Sequence, residues 1–302
     1  MYLQHFGLTE YPFGLTPNTQ FFCALPGYQE ALNVLMIALH GGEGFIKISG
    51  EVGTGKTMLC RKLLNELDSG FVTAYIPNPA LSQAELLATF AEELGIPFEK
   101  VIRPGHLLKL IYAHLLGVAA SGKRLVLVLD EAQAIPPDSL ELLRLLTNLE
   151  TERRKLLQIV LFGQPELDRL LARPEFRQLR QRITFSYHLR PLRRSETRRY
   201  LTSRLRTAGL ERGDLLTGPA CWLIHSLTRG TPRLLNILAN KALMVAYGKG
   251  ARRVRWSHVR LAAADTEALS ARPARLPRLW LVALLLASAG WAALNAAHGA
   301  LP

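Results

Sequence analysis

The chain is poor in cysteine: Cys23, Cys60 and Cys221 are the three in 302 residues, with no C-x-x-C pair and no histidine cluster beside them. That excludes a disulfide framework or a cysteine-held zinc site and suits a reducing cytosol. His5, His40, His106, His114, His188, His225, His258 and His298 fall at no metal-ligand spacing and read as structural or surface residues. No Ser-His-Asp arrangement, internal repeat, low-complexity tract, helix-turn-helix or zinc-finger pattern stands out. The opening Met1-Tyr2-Leu3-Gln4-His5-Phe6 lacks the basic and apolar regions of a signal peptide. Acidic residues are also scarce, 24 against 37 lysines and arginines, for a net charge of +13. Such a surplus fits a nucleic-acid or anionic-membrane partner, or simply arginine-rich solvated helices. A hydrophobic content of 49% rules out a disordered chain, and the length allows one large domain or two moderate ones.

What is present is a phosphate-binding signature. Gly50-Glu51-Val52-Gly53-Thr54-Gly55-Lys56-Thr57 fits G-x-x-x-x-G-K-[ST]. It follows the apolar run Phe45-Ile46-Lys47-Ile48-Ser49 and opens a helix-compatible stretch at Met58. Strand, glycine loop and helix together give the motif its mechanism. Glycines let backbone N–H groups turn inward around phosphate oxygens, and the helix N-terminus adds a favourable dipole. Residues 50–58 are therefore the expected nucleotide cradle. Lys56 would reach the terminal phosphates, and the Thr57 hydroxyl would hold Mg²⁺.

Short apolar runs alternate with helical spacing through the first two thirds of the chain. Strands are expected at Phe45–Ser49, Val72–Ile76, Leu125–Leu129, Leu156–Phe162 and Ile183–His188. Helices are expected at Gln29–Leu39, Ser82–Leu94, Gly105–Ala119 and Asp138–Glu150. This is the pattern of a parallel sheet covered on both faces. After Leu192 the pattern is helical: one helix capped by Ser195 with Glu196 in its first turn, then Pro219–Leu227 and Pro232–Tyr247.

The run Leu125–Leu129 ends in Asp130-Glu131. Sites of parallel sheets lie at the C-terminal ends of strands, so Asp130 is expected beside Thr57 as a second Mg²⁺ contact. Glu131 is then placed to polarise an attacking water. Gln164, after the run ending at Phe162, would contact the γ-phosphate or that water, or else is a plain turn residue.

Leu279–Ala297 carries no charged residue and is long enough to span a bilayer as a helix. Arg272, Arg275 and Arg278 precede it and would keep the N-terminal bulk cytoplasmic. A soluble apolar helix is the competing reading.

The order of P-loop, Asp-Glu pair, polar strand end, arginines and Gly230-Thr231-Pro232-Arg233 resembles an AAA+ ATPase. The segments FGLTEYPFGLTPNTQFF, GYQEALNVL, GEVGTGKT, LDEAQAI, LFGQPEL and LRQRITFSYHLRPL are similar to the ExeA/GspA family, most of all to its members serving MSHA-type (type IV) pilus biogenesis. The resemblance covers residues 1 to 262. It implies a three-layer α/β P-loop core with a parallel sheet, a smaller all-helical lid and a C-terminal apolar, transmembrane helix. The corresponding division is an N-terminal segment 1–40, an ATPase core 41–190, a lid 191–262, a basic linker 263–278 and a span 279–297. It further implies ATP and Mg²⁺ as ligands, Gln164 as the sensor-1 residue and Arg233 as the sensor-2 residue from the lid. Among Arg177, Arg180 and Arg182, it implies Arg180 or Arg182 as the finger offered to a neighbouring subunit of a homo-oligomeric ring. The implied partners are pilus or secretion assembly proteins at the inner membrane; the runner-up is a DNA-associated ATPase like transposition helpers or origin-recognition relatives. Two departures stand out. Tyr28 occupies a position where many relatives have histidine, and the chain stops shortly after the apolar run, where secretion-type members continue into a wall-binding domain.

Overall fold

The computed structural model describes residues 2–99, 103–150, 155–211 and 213–266. Five parallel strands form one sheet: β1 (Phe45–Gly50), β2 (Phe71–Ile76), β3 (Arg124–Leu129), β4 (Leu157–Gly163) and β5 (Ile183–Leu189). Their order across the sheet is β2-β3-β4-β1-β5. The inner strands are apolar on both faces because both are covered. Leu125, Leu127 and Leu129 of β3 face one layer, while Val126 and Val128 face the other.

On one face lie helices α2 (Pro26–Gly41) and α3 (Lys56–Glu66). On the other lie α4 (Gln83–Glu93), α5 (Pro104–Ala120), α6 (Pro137–Leu146), α7 (Pro165–Leu171) and α8 (Arg177–Arg182). The chain begins with a short helix, α1 (Tyr2–Phe6). Beyond the sheet come α9 (Arg194–Thr207), α10 (Gly218–Thr228), α11 (Pro232–Gly248) and α12 (Trp256–Ala264).

The start of the chain packs on this last helical group. Tyr2, Phe6, Phe13 and Phe21 share one apolar core with Leu201, Leu235 and Leu243. The Tyr2 hydroxyl donates to Asn240 Oδ1 at 2.7 Å, and the Thr9 N–H donates to the Ala208 carbonyl at 2.8 Å. Arg204 is buried beneath the loop that follows. Its guanidinium donates to the carbonyls of Pro12 at 2.5 Å and Gly14 at 3.3 Å and sits over the Phe21 ring. Buried guanidinium is tolerated because each of its three nitrogens finds an acceptor, the third being the Tyr200 hydroxyl at 3.0 Å.

Helix α9 begins at Arg194, two residues earlier than a cap at Ser195 implies. Ser195 lies inside its first turn and does not cap it. Glu196 takes the capping role instead: its carboxylate accepts the Arg193 N–H at 2.6 Å. The same carboxylate receives both Arg190 Nη atoms at 2.8 Å. Arg190 foremost, against the effect of burial, holds the Glu196 carboxyl below the usual range. Helix α6 stops at Leu146, short of the expected Glu150, which pairs instead with Lys155 in an antiparallel bridge. Among the described residues no helix is long and apolar enough to cross a membrane, and the expected span 279–297 lies outside them.

One glycine ties the helical group to the sheet. Gly230 has φ +76°, and a Cβ there would stand 1.9 Å from the Leu192 carbonyl oxygen. The Leu192 N–H in turn donates to the Gly230 carbonyl at 2.9 Å. Gly122, with φ +80°, has open space around it. Gly122→Ala is expected to cost about 1 kcal/mol of backbone strain. Gly230→Ala is expected to cost at least about 3 kcal/mol, since backbone must move as well. Chemical denaturation of the two variants measures the difference.

Candidate functional site

Three neighbouring strand ends build the site. Strand β1 leads into the glycine loop, β3 ends just before Asp130, and β4, lying between them, ends beside Gln164. Register brings Ser49 level with Gly163 and Leu129 level with Leu161. Thr57, Gln164 and Glu131 therefore meet at one edge although Thr57 is more than seventy residues from either of the others in the chain.

The loop 50–57 has little freedom. Gly53 and Gly55 have φ of +78° and +96°. Gly50 is buried, and a Cβ on it would meet the Leu189 carbonyl at 2.7 Å. Thr54 is fully buried and folds its hydroxyl onto the Glu51 carbonyl at 2.8 Å. The Tyr28 hydroxyl donates to the Thr54 carbonyl at 2.6 Å and leaves no room for a side chain at Gly55. On the opposite side Arg233 of α11 donates its backbone N–H to the Gly53 carbonyl at 3.1 Å. A Cβ on Gly53 would strike Arg233 and Thr231. The loop is thus held between α2 and the start of α11.

Lys56 is buried and donates to the carbonyls of Gly50 at 2.8 Å and Glu51 at 3.1 Å. Burial lowers its pKa, and the nearby charges of Glu131 and Asp130 oppose that shift. Asp130 is also buried; desolvation raises its carboxyl pKa against hydrogen bonds from the Thr57 hydroxyl and the Glu131 N–H. A hydroxyl paired with a carboxylate at a strand end gives two hard oxygen donors, which fits a magnesium ion.

Glu131 has φ +50°, one of two non-glycine residues with positive φ among those described. Such a conformation in a side chain with Cβ is held by its surroundings and clusters at functional sites. Its Oε2 receives Gln133 Nε2 at 2.6 Å and Gln164 Nε2 at 3.0 Å. Burial would raise this carboxyl, but the two amides and Lys56 prevail and keep it below the usual range. Gln133 also accepts the Gln164 N–H at 2.9 Å. Gln133, two residues beyond the acidic pair, was not singled out in the sequence; its signal was its place in the turn closing that pair.

A cleft of about 330 Å³ opens over these groups. Val52, Gly53, Gly55, Lys56, Thr57 and Met58 line its floor, with Glu131, Gln164 and Arg233 around it. Gly50, Glu51 and Thr54 shape the loop from behind and do not line the cleft. Its far wall is made by Pro17 and Phe22 from the first loop, Tyr200 and Arg204 from α9, and Asn236 from α11. Tyr200 donates its hydroxyl to Asn236 Oδ1 at 3.0 Å, which orients the amide. Arg180 and Arg182 are not brought here. They sit on α8; Arg180 is exposed, and Arg182 leans on the Arg144 carbonyl and the Thr147 hydroxyl.

A glycine loop between a parallel strand and a helix, with an acidic pair at a neighbouring strand end, is the arrangement of P-loop nucleotide-binding proteins. Residues 39–171 match the family described as AAA domain. The chain is 42% identical over 290 residues to General secretion pathway protein A of Aeromonas hydrophila. That match takes in 96% of this chain and 52% of that protein, so the chain spans about half the length of the curated relative it matches. Among solved structures the fold is similar to Cdc6p of Pyrobaculum aerophilum, with a TM-score of 0.62 and 22% identity over 82% of this chain and 70% of that one. It is also similar to the ORC2 protein of Aeropyrum pernix, solved as ADPNP-ADP complexes, with a TM-score of 0.58, 18% identity and coverage of 83% and 72%. RuvB of Thermotoga maritima matches with a TM-score of 0.54, 17% identity and coverage of 85% and 73%.

Tyr28→Phe removes the hydroxyl that holds the Thr54 carbonyl in a buried place. ATP affinity is expected to fall roughly fivefold to tenfold, for about 1 to 1.4 kcal/mol of lost loop order. Calorimetric titration with ATP measures it.

Proposed function

We propose that the chain is an AAA+ ATPase of the ExeA/GspA family that binds and hydrolyses ATP to support assembly of a secretion or pilus machine at the inner membrane. The observation that carries the enzymatic part is Glu131, held in a strained backbone conformation with its carboxylate fixed by Gln133 and Gln164 beside Lys56. A carboxylate kept ionised at the edge of a phosphate cradle suits acceptance of a proton from an attacking water. The water oxygen would bond to the γ-phosphorus while the bridging oxygen leaves with ADP. Lys56 would turn from the loop carbonyls to the phosphate oxygens. Mg²⁺, held by Thr57 and Asp130, would offset charge on the terminal phosphates. Gln164 and Arg233 would read the γ-phosphate from β4 and from α11.

The position of α8 supports a homo-oligomeric ring. Arg180 and Arg182 lie outside their own cleft, and exposed Arg180 is the better suited to reach a neighbour's. Similarity to a general secretion pathway protein supports the secretion side of the assembly role. The MSHA-type pilus is supported by the wording of the motifs, and membrane attachment by the uncharged run 279–297. The DNA-associated reading loses ground because two of its arginines are committed elsewhere, Arg190 to Glu196 and Arg204 beneath the first loop.

Glu131→Gln is expected to lower steady-state ATP hydrolysis on the order of 100-fold or more while ATP binding persists. An unchanged rate would remove Glu131 from the chemistry. Cell fractionation tests the location: the full chain is expected in the inner-membrane fraction, and complete recovery as soluble protein would overturn that part.

A further inference from the structure

The outer side of α9 carries a row of arginines that one nearby carboxylate offsets only in part. Arg193, Arg194, Arg198, Arg199 and Arg206 line a groove of about 1240 Å³ that runs between α9, the start of α2 and α10. All five are exposed. Asp214 is the single acidic residue in the groove, and it faces Arg198 at 3.4 Å. Among the described residues, Arg194, Arg199 and Arg206 form no ion pair with a carboxylate. An unneutralised row within a concavity costs self-repulsion, which a bound anion relieves.

We propose that this groove binds an acidic peptide segment of a protein partner. Guanidinium forks match carboxylates in two-pronged geometry. From Arg194 to Arg206 the helix rises roughly 18 Å, the length of about five extended residues. The wall between the arginines offers the hydroxyls of Ser195, Thr202 and Ser203 to a peptide backbone. A single nucleic-acid strand is less suited, since such sites stack successive bases on several aromatics and this groove has only half-buried Trp222. A flat bilayer surface does not enter a concave groove. The place is informative too: the opposite side of α9 presents Tyr200 and Arg204 to the nucleotide cleft, and Cys23 lines both cavities. A segment seated here lies about one helix diameter, roughly 10 Å, from the nucleotide.

This inference rests on the assembly reading only in giving that partner a chemistry. Its test uses no nucleotide, so its failure and a failure of ATP hydrolysis are separate results. The full chain in detergent is titrated against a fluorescein-labelled peptide of alternating glutamate and aspartate, six residues long, and binding is followed by anisotropy. Saturable binding is expected, weakening as salt rises from about 50 to about 300 mM. Replacing Arg194, Arg199 and Arg206 together by serine is expected to weaken it roughly tenfold or more. Replacing the same three by lysine keeps the charge but not the two-pronged geometry and is expected to bind more tightly than the serine variant and less tightly than the native chain. Binding that ignores the serine replacement, or no binding, overturns the proposal. So does tighter, arginine-dependent binding of a labelled oligothymidine or of phosphatidylglycerol vesicles in place of the peptide.

Discussion

A glycine loop squeezed from two sides is the contact on which the rest of the structure depends. Tyr28 presses on Gly55 and holds the Thr54 carbonyl, and Arg233 and Thr231 press on Gly53. Neither glycine can carry a side chain, and each has a backbone conformation that other residues resist. One clamp belongs to α2 on the sheet and the other to α11 in the helical group. The loop is therefore the place where the two halves of the molecule touch the same few atoms. Whatever binds the loop must alter its relation to both. That links a local event at phosphate to the larger question of how α11 is placed.

The polar network behind α9 makes the helical group act as one piece with the start of the chain. Arg204 collects the carbonyls of Pro12 and Gly14, while Tyr200 on the same helix steadies Asn236 on α11. The first loop, α9 and α11 thereby form a single wall of the cleft. Glu196, gripped by Arg190 and capping its own helix, fixes where α9 leaves the sheet. These are buried or half-buried polar contacts whose partners are all present, so they specify geometry more than they add net stability.

The local parts of the site were legible in the residues because each motif carries its own geometry. Gly50–Thr57 dictates a phosphate loop, and an apolar run ending in Asp130-Glu131 dictates a strand with carboxylates at its tip. The alternation of strands and helices likewise pointed to the parallel sheet. Other features depend on contacts distant in sequence. The insertion of β4 between β1 and β3, which brings Gln164 to Glu131, is a matter of strand order that periodicity does not encode. Tyr28 read only as a departure from histidine; its grip on Thr54 needs the fold. Arg190 and Arg204 read as part of a basic surface because pairing with Glu196 or burial under Pro12 leaves no trace in local spacing. The cap of α9 was misplaced for a related reason: Ser195 is the usual capping type, but Glu196 already satisfies the free N–H.

The central claim is that the phosphate loop and the start of α11 respond to nucleotide as one unit. Hydrogen exchange of the full chain, with and without a slowly hydrolysed MgATP analogue, measures this directly. The account predicts joint protection of residues 50–58 and 231–236, with Arg233→Ala losing the second and weakening the first. Protection confined to residues 50–58, indifferent to Arg233, would contradict it.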